Sequence, residues 1–340
     1  MVNLIVPQQT FPRGTARTIG KERGDTLAAR NRALQDGDVV SVTIRRSDDN
    51  GGATLQAFEI PYTRAMRVLD ALNYISQHLA PDLAYRWLCG SKMCGTCAVR
   101  MNGREVLACW EAVEPSMTIE PLRNLPVVRD LVVDRAPYEQ RVANFQPWIE
   151  RDGDYAGFPE PLTHTEVKHA SKALDCISCM SCFSACPVVG LSDVTNFAGP
   201  APLVQLAQTA LDARNSPDKV ASALSVSGIF NCVSCYKCEE VCPAKIPIVT
   251  SVIEPLKTRA VILSPQLAHH ALTFRSIILA RGRIDPTELV FRVRGLKLLL
   301  GLGRALRMLV RRKINPVKTL FGRWSGASSV AARLLRKKDR

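Results

Sequence analysis

Hydrophobic and polar residues alternate along two neighbouring stretches of the chain. Residues 39–46 read VVSVTIRR and residues 55–62 read LQAFEIPY. The sequence SDDNGG between them supplies the Asp, Asn and Gly residues that turns favour. Alternation with a period of two is typical of strands with one buried face. The pattern therefore predicts a β-hairpin.

A helical period follows the hairpin. Between Met66 and Leu79 the apolar residues recur every three or four positions, which predicts a helix with one buried stripe that ends before Pro81. The stripe consists of Val68, Leu69, Leu72, Ile75 and Leu79. Residues 202–213 and 218–230 show the same period and predict a helical scaffold, in which Val204 and Leu206 are core residues.

Two segments lack a clear period. Residues 1–38 are rich in Arg, Gly, Thr and Gln and predict a mobile N-terminal extension that can drape over a partner. Residues 125–172 start with LPVVRDLVV and continue through a stretch rich in Pro, Gly and aromatic residues. This composition predicts a packed linker, with a domain boundary near Arg135.

The first cysteine group has the pattern Cys89-x4-Cys94-x2-Cys97, with Cys109 twelve positions later. This is the spacing of plant-type [2Fe-2S] sites, and the flanking AVRM and MTIEPL are strand-like. Gly90 lies inside the loop, as does the glycine after Cys94, and both allow the backbone to fold closely around a cluster. A structural zinc loop is the competing interpretation. The long spacing to Cys109 and the strands favour [2Fe-2S].

The other eight cysteines fall in two runs of the form C-x2-C-x2-C-x3-C-P. Three thiolates at this spacing can wrap one face of a [4Fe-4S] cluster, while the fourth reaches the other cluster. The predicted ligand sets are Cys176, Cys179, Cys182 and Cys242 for the first cluster, and Cys186, Cys232, Cys235 and Cys238 for the second. Zinc is again the competing interpretation. A four-coordinate zinc site does not require three cysteines from one run and the fourth from the other.

These motifs carry a family resemblance. Their order, together with LDALNYI before Cys89, YR just ahead of it and IEPLRNLPVVRDLVVD after Cys109, is similar to the iron–sulfur subunit of succinate dehydrogenase and fumarate reductase. The resemblance covers about residues 39–250. It implies an α+β fold that follows the extension at 1–38. A plant-type ferredoxin (β-grasp) domain at 39–135 precedes an α-helical, bacterial-ferredoxin-like domain at 136–250 and a basic helical C-terminal extension at 251–340.

The resemblance also implies a function. The chain is expected to relay single electrons through one [2Fe-2S] and two [4Fe-4S] clusters, with iron as its only metal, no catalytic residue and no flavin. Its partners would be a flavoprotein with FAD that acts on succinate or fumarate, and a quinone- or thiol-linked subunit. The [2Fe-2S] domain is expected to face the flavoprotein, and the second [4Fe-4S] cluster to lie nearest the other partner.

The chain departs from the family pattern around the second run. Familiar members have an aliphatic residue in the slot of Cys235, which leaves a [3Fe-4S] cluster. A cysteine here predicts [4Fe-4S], with [3Fe-4S] as the alternative. Gly190, Leu191 and Val233 stand where the family carries Trp or His near a quinone. The combination resembles the branch whose membrane anchor is replaced by a cysteine-rich, heterodisulfide-reductase-like subunit, near the thiol-coupled fumarate reductases.

Charge is concentrated in the C-terminal part. Residues 1–250 hold 25 Lys and Arg against 27 Asp and Glu, whereas residues 251–340 hold 20 against 4. Nucleic acid is not an expected partner, because the basic region lacks interleaved aromatic residues and recognition motifs. Residues 297–311 predict a helix with a basic face of Lys297, Arg304, Arg307 and Arg311. Such a helix packs on its own domain or docks on a partner or an anionic membrane surface.

The expected location is cytoplasmic, peripheral on the cytoplasmic face of the inner membrane. All twelve cysteines have a metal assignment, which fits a reducing compartment, and residues 1–11 lack the pattern of a signal peptide. Two other interpretations stay open: an iron–sulfur subunit of a heterodisulfide-reductase-like or glycolate-oxidase-like complex, and a free-standing polyferredoxin.

Overall fold

The computed structural model describes residues 16–17, 34–48, 52–151, 153–155, 157–160, 163–191, 196–281, 288–289 and 292–293. The chain separates into two compact units, residues 1–256 and residues 257–340. The predicted basic helix at 297–311 and most of the predicted N-terminal extension lie outside the described residues.

The first part of unit 1 is a six-stranded mixed sheet. Its strands are β1 (Ala16–Arg17), β2 (Val39–Ser47), β3 (Ala53–Pro61), β4 (Ala98–Met101), β5 (Arg104–Leu107) and β6 (Ser116–Glu120), and their order across the sheet is β1-β3-β2-β6-β4-β5. β2 pairs antiparallel with β3 along its whole length, from Val39 opposite Pro61 to Ser47 opposite Ala53. The predicted hairpin is therefore confirmed. β2 pairs in parallel with β6 on its other side.

A helix covers this sheet. Helix α1 (Val68–His78) confirms the predicted segment and begins where the Arg67 N–H donates to Asp70 Oδ2 at 2.8 Å. Its buried residues are Val68, Leu69, Ala71, Leu72, Tyr74 and Ile75. They share a core with the inward-facing strand residues Val40, Val42, Ile44, Phe58, Ile60, Met117 and Ile119. The alternating residues read from the sequence are thus the ones that bury this core.

The segment predicted as a packed linker contains regular structure. A two-stranded sheet of β7 (Val127–Arg129) and β8 (Val132–Val133) is followed by the helices α2 (Ala136–Ala143) and α3 (His164–Leu174). α3 starts at a capping box in which the Thr163 N–H donates to Glu166 Oε2 at 2.7 Å. The T-x-x-E pattern in the sequence is typical of a helix start, but α3 carries few large apolar residues. Its hydrophobic period is therefore too weak to predict the helix.

The rest of unit 1 is helical. Its helices are α4 (Ser181–Ala185), α5 (Pro200–Ala210), α6 (Pro217–Ser225) and α7 (Lys237–Glu240), with a 3₁₀ turn at Ile229–Asn231 and a π-helix at Ile248–Ile253 that leads into α8 (Glu254–Leu263). α5 and α6 correspond to the predicted segments 202–213 and 218–230. Both begin slightly earlier than predicted, at a proline in the first turn. α6 stops short because Gly228, with φ of +59°, turns the chain against the Asn196 carbonyl.

Unit 2 begins within α8 and also contains helix α9 (His269–Arg281). Among the helices that the structure describes, none has both the length and the apolar character needed to cross a lipid bilayer.

Candidate iron–sulfur sites

The first cysteine loop is held around its sulfur atoms by backbone N–H groups. Cys89 Sγ accepts from the N–H groups of Ser91, Met93 and Cys94, each at 3.4 Å. Cys109 Sγ accepts from the Lys92 N–H at 3.4 Å. The loop can curl this tightly because Gly90, Lys92 and Gly95 have φ values of +65°, +63° and +70°. This arrangement of inward-facing amides suits a site for negatively charged sulfur.

The sheet supplies the other side of this site. Cys97 immediately precedes β4 and Cys109 follows β5, and the Ala108 N–H donates to the Cys97 carbonyl at 3.1 Å. The three backbone hydrogen bonds lower the pKa of the exposed Cys89 thiol to about 6. Burial raises the pKa of Cys97 to about 12. The site therefore has an exposed end at Cys89 and a buried end at Cys97.

The two later runs share one backbone conformation. Ser178 and Ser234, at equivalent positions, have φ values of +52° and +51°, and Met180 and Tyr236 both have +63°. The Ser178 N–H donates to Cys176 Sγ and the Ser234 N–H donates to Cys232 Sγ, both at 3.4 Å. The third cysteine of each run lies on a short helix, α4 or α7, and these two helices pack together. Equal spacing has thus produced equal local geometry.

The eight cysteines of these runs line two cavities. The first is lined by Cys176, Cys179, Cys182 and Cys242, and the second by Cys186, Cys232, Cys235 and Cys238. Each cavity therefore takes three cysteines from one run and the last cysteine from the other. The cysteines that line each cavity are those that the spacing groups together, and their role as cluster ligands stays a prediction.

The surroundings of both cavities are mainly apolar. Ile177, Met180, Ala201, Val204, Ile246 and Ile248 line the first cavity, and Val188, Phe197, Pro200, Val233, Val249 and Ile253 line the second. Val204, predicted only as a core residue, is thus also a cavity wall, whereas Leu206 is simply buried.

The donor set fits iron–sulfur clusters. Burial raises the pKa of five thiols in the two runs, those of Cys176, Cys179, Cys182, Cys186 and Cys238. Thiolates in such surroundings need a compensating cation, which ferric and ferrous ions supply. Among the described residues, no three His, Cys, Asp or Glu side chains form a group for one metal ion. In a [4Fe-4S] cluster each iron takes a single thiolate, so its ligands surround the cluster instead of meeting at one ion.

The first loop and the first run touch at Gly95. A β-carbon at Gly95 would lie 2.8 Å from Cys179 Cβ and 2.6 Å from the Ile177 carbonyl oxygen. Cys182 on α4 and Cys238 on α7 lie on two helices that pack against each other. The first cysteine loop, the first cavity and the second cavity therefore follow one another in space.

A polar junction fixes this arrangement, and no sequence pattern pointed to it as a whole. Asn124 Nδ2 lies 2.9 Å from the Phe183 carbonyl oxygen and 3.1 Å from those of Ser184 and Cys186. The Ser184 hydroxyl donates to the buried Glu105 carboxylate at 2.8 Å. These partners lie about sixty or more positions apart in the chain. Only the φ of +64° at Asn124, which asparagine tolerates better than most residues, has a local sequence signal.

The positions that depart from the family pattern lie at the surface near the second cavity. Leu191, Val233 and Cys235 are exposed, and Tyr236 beside them is 43% exposed. Gly190 is also at the surface, where a β-carbon would lie 2.8 Å from Asn124 Oδ1. A side chain at Gly190 would therefore disturb the asparagine that binds the first run.

Comparison with known proteins agrees with this geometry. Residues 41–140 match the 2Fe-2S iron-sulfur cluster binding domain family, and residues 172–246 match the 4Fe-4S dicluster domain family. The fumarate reductase iron-sulfur subunit of Mycobacterium tuberculosis is 33% identical to the chain, over 62% of this chain and 87% of that protein. The chain belongs to the family of iron–sulfur subunits of succinate dehydrogenase and fumarate reductase. The predicted family, and the order of a 2Fe-2S domain followed by a 4Fe-4S domain, are confirmed.

Two further relatives of this iron–sulfur subunit span archaea and bacteria. A fumarate reductase (CoM/CoB) subunit from Methanothermobacter marburgensis is 35% identical over 61% of the chain and 41% of that protein. The chain spans about half the length, or less, of the archaeal relatives that it matches. A chain of the Mycobacterium smegmatis Sdh1 complex, solved in the apo form, has a TM-score of 0.62 and 27% identity, over 67% of this chain and 97% of that one.

Proposed function

We propose that this chain relays single electrons between a flavoprotein that carries FAD and acts on succinate or fumarate, and a second partner subunit. The observation that carries the proposal is the pair of cavities in which the two cysteine runs exchange their fourth thiols. No substrate chemistry is assigned to the chain itself. Its membership of an oxidoreductase complex follows from its family.

The ligand sets follow from this proposal. Cys89, Cys94, Cys97 and Cys109 hold a [2Fe-2S] cluster, and the two four-cysteine cavities each hold a [4Fe-4S] cluster. When bound, these clusters supply one-electron redox chemistry. Cys235 lines the second cavity with the other three thiols, which supports [4Fe-4S] over [3Fe-4S] there. The sheet part corresponds to the plant-type ferredoxin (β-grasp) domain at 39–135, and the helical part to the bacterial-ferredoxin-like domain at 136–250.

Exposed apolar side chains lie near Cys89 and near Cys235, and we assign these two surfaces to the two ends of the electron relay. Around the exposed Cys89 lie Trp87, Leu88 and Met93, of which Leu88 is 73% exposed. This apolar surface is suited to a protein interface, and we assign it to the flavoprotein. Electrons then cross the chain from the first loop past Gly95 and Cys179 to the two cavities.

The other end is the surface beside Cys235. Val233 and Tyr236, which flank Cys235 in the chain, expose apolar side chains here. Leu191 is also exposed, and its N–H donates to the carbonyl of Val188, which lines the same cavity. These exposed apolar side chains favour a protein partner docked over the second cavity. The Trp and His groups that the family places near a quinone are missing, which argues against a quinone at this position. We assign this end to a cysteine-rich, heterodisulfide-reductase-like subunit, with a membrane-anchor subunit as the second candidate. The name of the CoM/CoB fumarate reductase relative supports a thiol-linked acceptor.

We place the complex at the cytoplasmic face of the inner membrane. The excess of 20 Lys and Arg over 4 Asp and Glu in residues 251–340 supports attraction to an anionic lipid surface or an acidic subunit. Binding to anionic vesicles that weakens as salt is raised is the expected result, and a chain without residues 297–340 should lose it.

Metal analysis and EPR spectroscopy test the core of the proposal. The anaerobically purified chain should contain about ten irons with matching acid-labile sulfide, and no stoichiometric zinc. It should copurify with a flavoprotein, and succinate should reduce at least one cluster in that complex. Zinc in place of iron would overturn the proposal. Purification as a lone monomer would favour the polyferredoxin interpretation, and a flavoprotein for another substrate would favour the heterodisulfide-reductase-like or glycolate-oxidase-like one.

A further inference from the structure

A buried serine lies next to the second cysteine of the first run. Ser181 is the first residue of α4 and directly precedes Cys182. Its hydroxyl oxygen lies 3.4 Å from Cys179 Sγ, within hydrogen-bonding distance for sulfur. Ser181 is 1% exposed and Cys179 is 7% exposed, so solvent has little access to either side chain. The contact is therefore a buried hydrogen bond to a thiol that lines the first cavity.

The protonation state of Cys179 sets the direction of this hydrogen bond. As a thiol, Cys179 donates its proton to the serine oxygen. A thiolate, which is the form that binds iron, has no proton to donate. The proton between these two atoms then comes from the serine hydroxyl, which donates to sulfur. Hydrogen bonds to a charged acceptor are stronger than those between neutral groups, and a buried position strengthens them further.

The second run provides an internal comparison. Cys235 occupies the slot of Cys179, and the residue that follows each of these cysteines has the same φ of +63°. Lys237, the first residue of α7, stands in the slot of Ser181. Cys235 and Lys237 are both exposed. The two runs therefore share a backbone conformation here, but the thiol of the second run faces solvent, whereas that of the first run faces a buried hydroxyl.

We propose that the Ser181 hydroxyl donates a hydrogen bond to the Cys179 thiolate and thereby raises the reduction potential of the cluster in the first cavity. Reduction adds negative charge to a cluster and its sulfur ligands, so a donor to sulfur stabilises the reduced form more than the oxidised form. Ser181 is thus a positioning residue that acts through Cys179. The inference rests on the proposed function, because it requires a [4Fe-4S] cluster bound by Cys179.

Redox potentiometry followed by EPR tests this on the purified complex. Ser181→Ala should shift the midpoint potential of the first cluster to a lower value, and Ser181→Thr, which keeps a hydroxyl, should stay near wild type. Ser184→Ala is the matched control, since Ser184 is also buried on α4 but donates to the Glu105 carboxylate. It should leave the midpoint near its wild-type value. An equal shift in Ser181→Ala and Ser184→Ala would trace the effect to a disturbed α4 and overturn the inference.

Iron content separates the possible failures. Absence of iron from the wild-type chain overturns both the proposed function and this inference. A Ser181→Ala variant with full iron content and an unchanged midpoint overturns the inference alone. If Ser181→Ala fails to assemble the cluster, Ser181→Thr and Ser181→Val decide, because their side chains have nearly the same shape and only threonine has a hydroxyl. A lower midpoint in the valine variant than in the threonine variant then supports the inference, and equal midpoints overturn it.

Discussion

Gly95 packs directly against Cys179, so closely that a β-carbon at Gly95 would lie 2.8 Å from Cys179 Cβ. Gly95→Ala should therefore separate the first loop from the first run. Its φ of +70° alone costs alanine on the order of 1 kcal/mol, and the contact with rigid backbone at Ile177 adds to this. We expect a lower thermal midpoint and weaker magnetic interaction between the two clusters in EPR.

Gly103→Ala is the control for backbone strain in this experiment. Gly103 has φ of +82°, and a β-carbon there would meet only the flexible end of Arg100, at 3.8 Å. It should lower the thermal midpoint less than Gly95→Ala and leave the interaction between the clusters unchanged. Equal effects of the two substitutions would show that the contact with Cys179 contributes nothing.

Cys235→Val should convert the second cluster from [4Fe-4S] to [3Fe-4S]. The cavity would keep the three thiols of Cys186, Cys232 and Cys238, and the iron that loses its thiolate is the one released. Iron analysis should show one iron fewer per chain, and the oxidised protein should acquire a [3Fe-4S] EPR signal. Cys179→Val, in the matching slot of the first run, should leave the spectrum of the second cluster unchanged. Four irons retained at the second site in Cys235→Val would contradict the ligand assignment.

Asn124→Asp should weaken the junction between the sheet and the first run. The amide that lies against the carbonyl groups of Phe183, Ser184 and Cys186 would become a carboxylate facing three oxygens. An unsatisfied polar group of this kind costs about 1–3 kcal/mol, so the thermal midpoint should fall and the iron content should drop. Asn73→Asp is the control, since Asn73 accepts from the Tyr85 hydroxyl and aspartate would still accept. Similar losses in the two variants would count against a specific role of Asn124.

Glu160 should stabilise the fold in its charged form. Its carboxylate forms ion pairs with Arg151 and Arg214, and these hydrogen bonds lower the pKa of Glu160 to about 2. A carboxylate with a lowered pKa contributes stability that is fully present above its ordinary pKa and is lost as the pH falls toward 2. Glu160→Gln should therefore lower the thermal midpoint by the same amount at neutral and mildly alkaline pH. Glu139→Gln, at an exposed pair with Arg135, should change it less. If wild type and Glu160→Gln had the same thermal midpoint above neutral pH, this role of Glu160 would be contradicted.

The sequence by itself determined the local features of the sites. The alternation in residues 39–62 determined the hairpin, and the three- and four-residue steps after Met66 determined α1, because both depend on a period along one segment. The spacing within each run places its first three cysteines in one cavity, since a short loop restricts how far apart its side chains can lie. The cluster ligand sets stay a prediction. The family and the order of its two cluster domains followed from the same motifs.

Only the tertiary structure decided how these local pieces meet. Asn124 and the Phe183 carbonyl lie 59 positions apart, and Glu105 and Ser184 lie 79 positions apart, so no period or spacing relates them. The two runs have equal spacing, yet Ala201 and Val204 line the first cavity, whereas Phe197, Val249 and Ile253 line the second. Covalent spacing sets ligand geometry within a loop, whereas burial and hydrogen bonding depend on which distant elements pack against it.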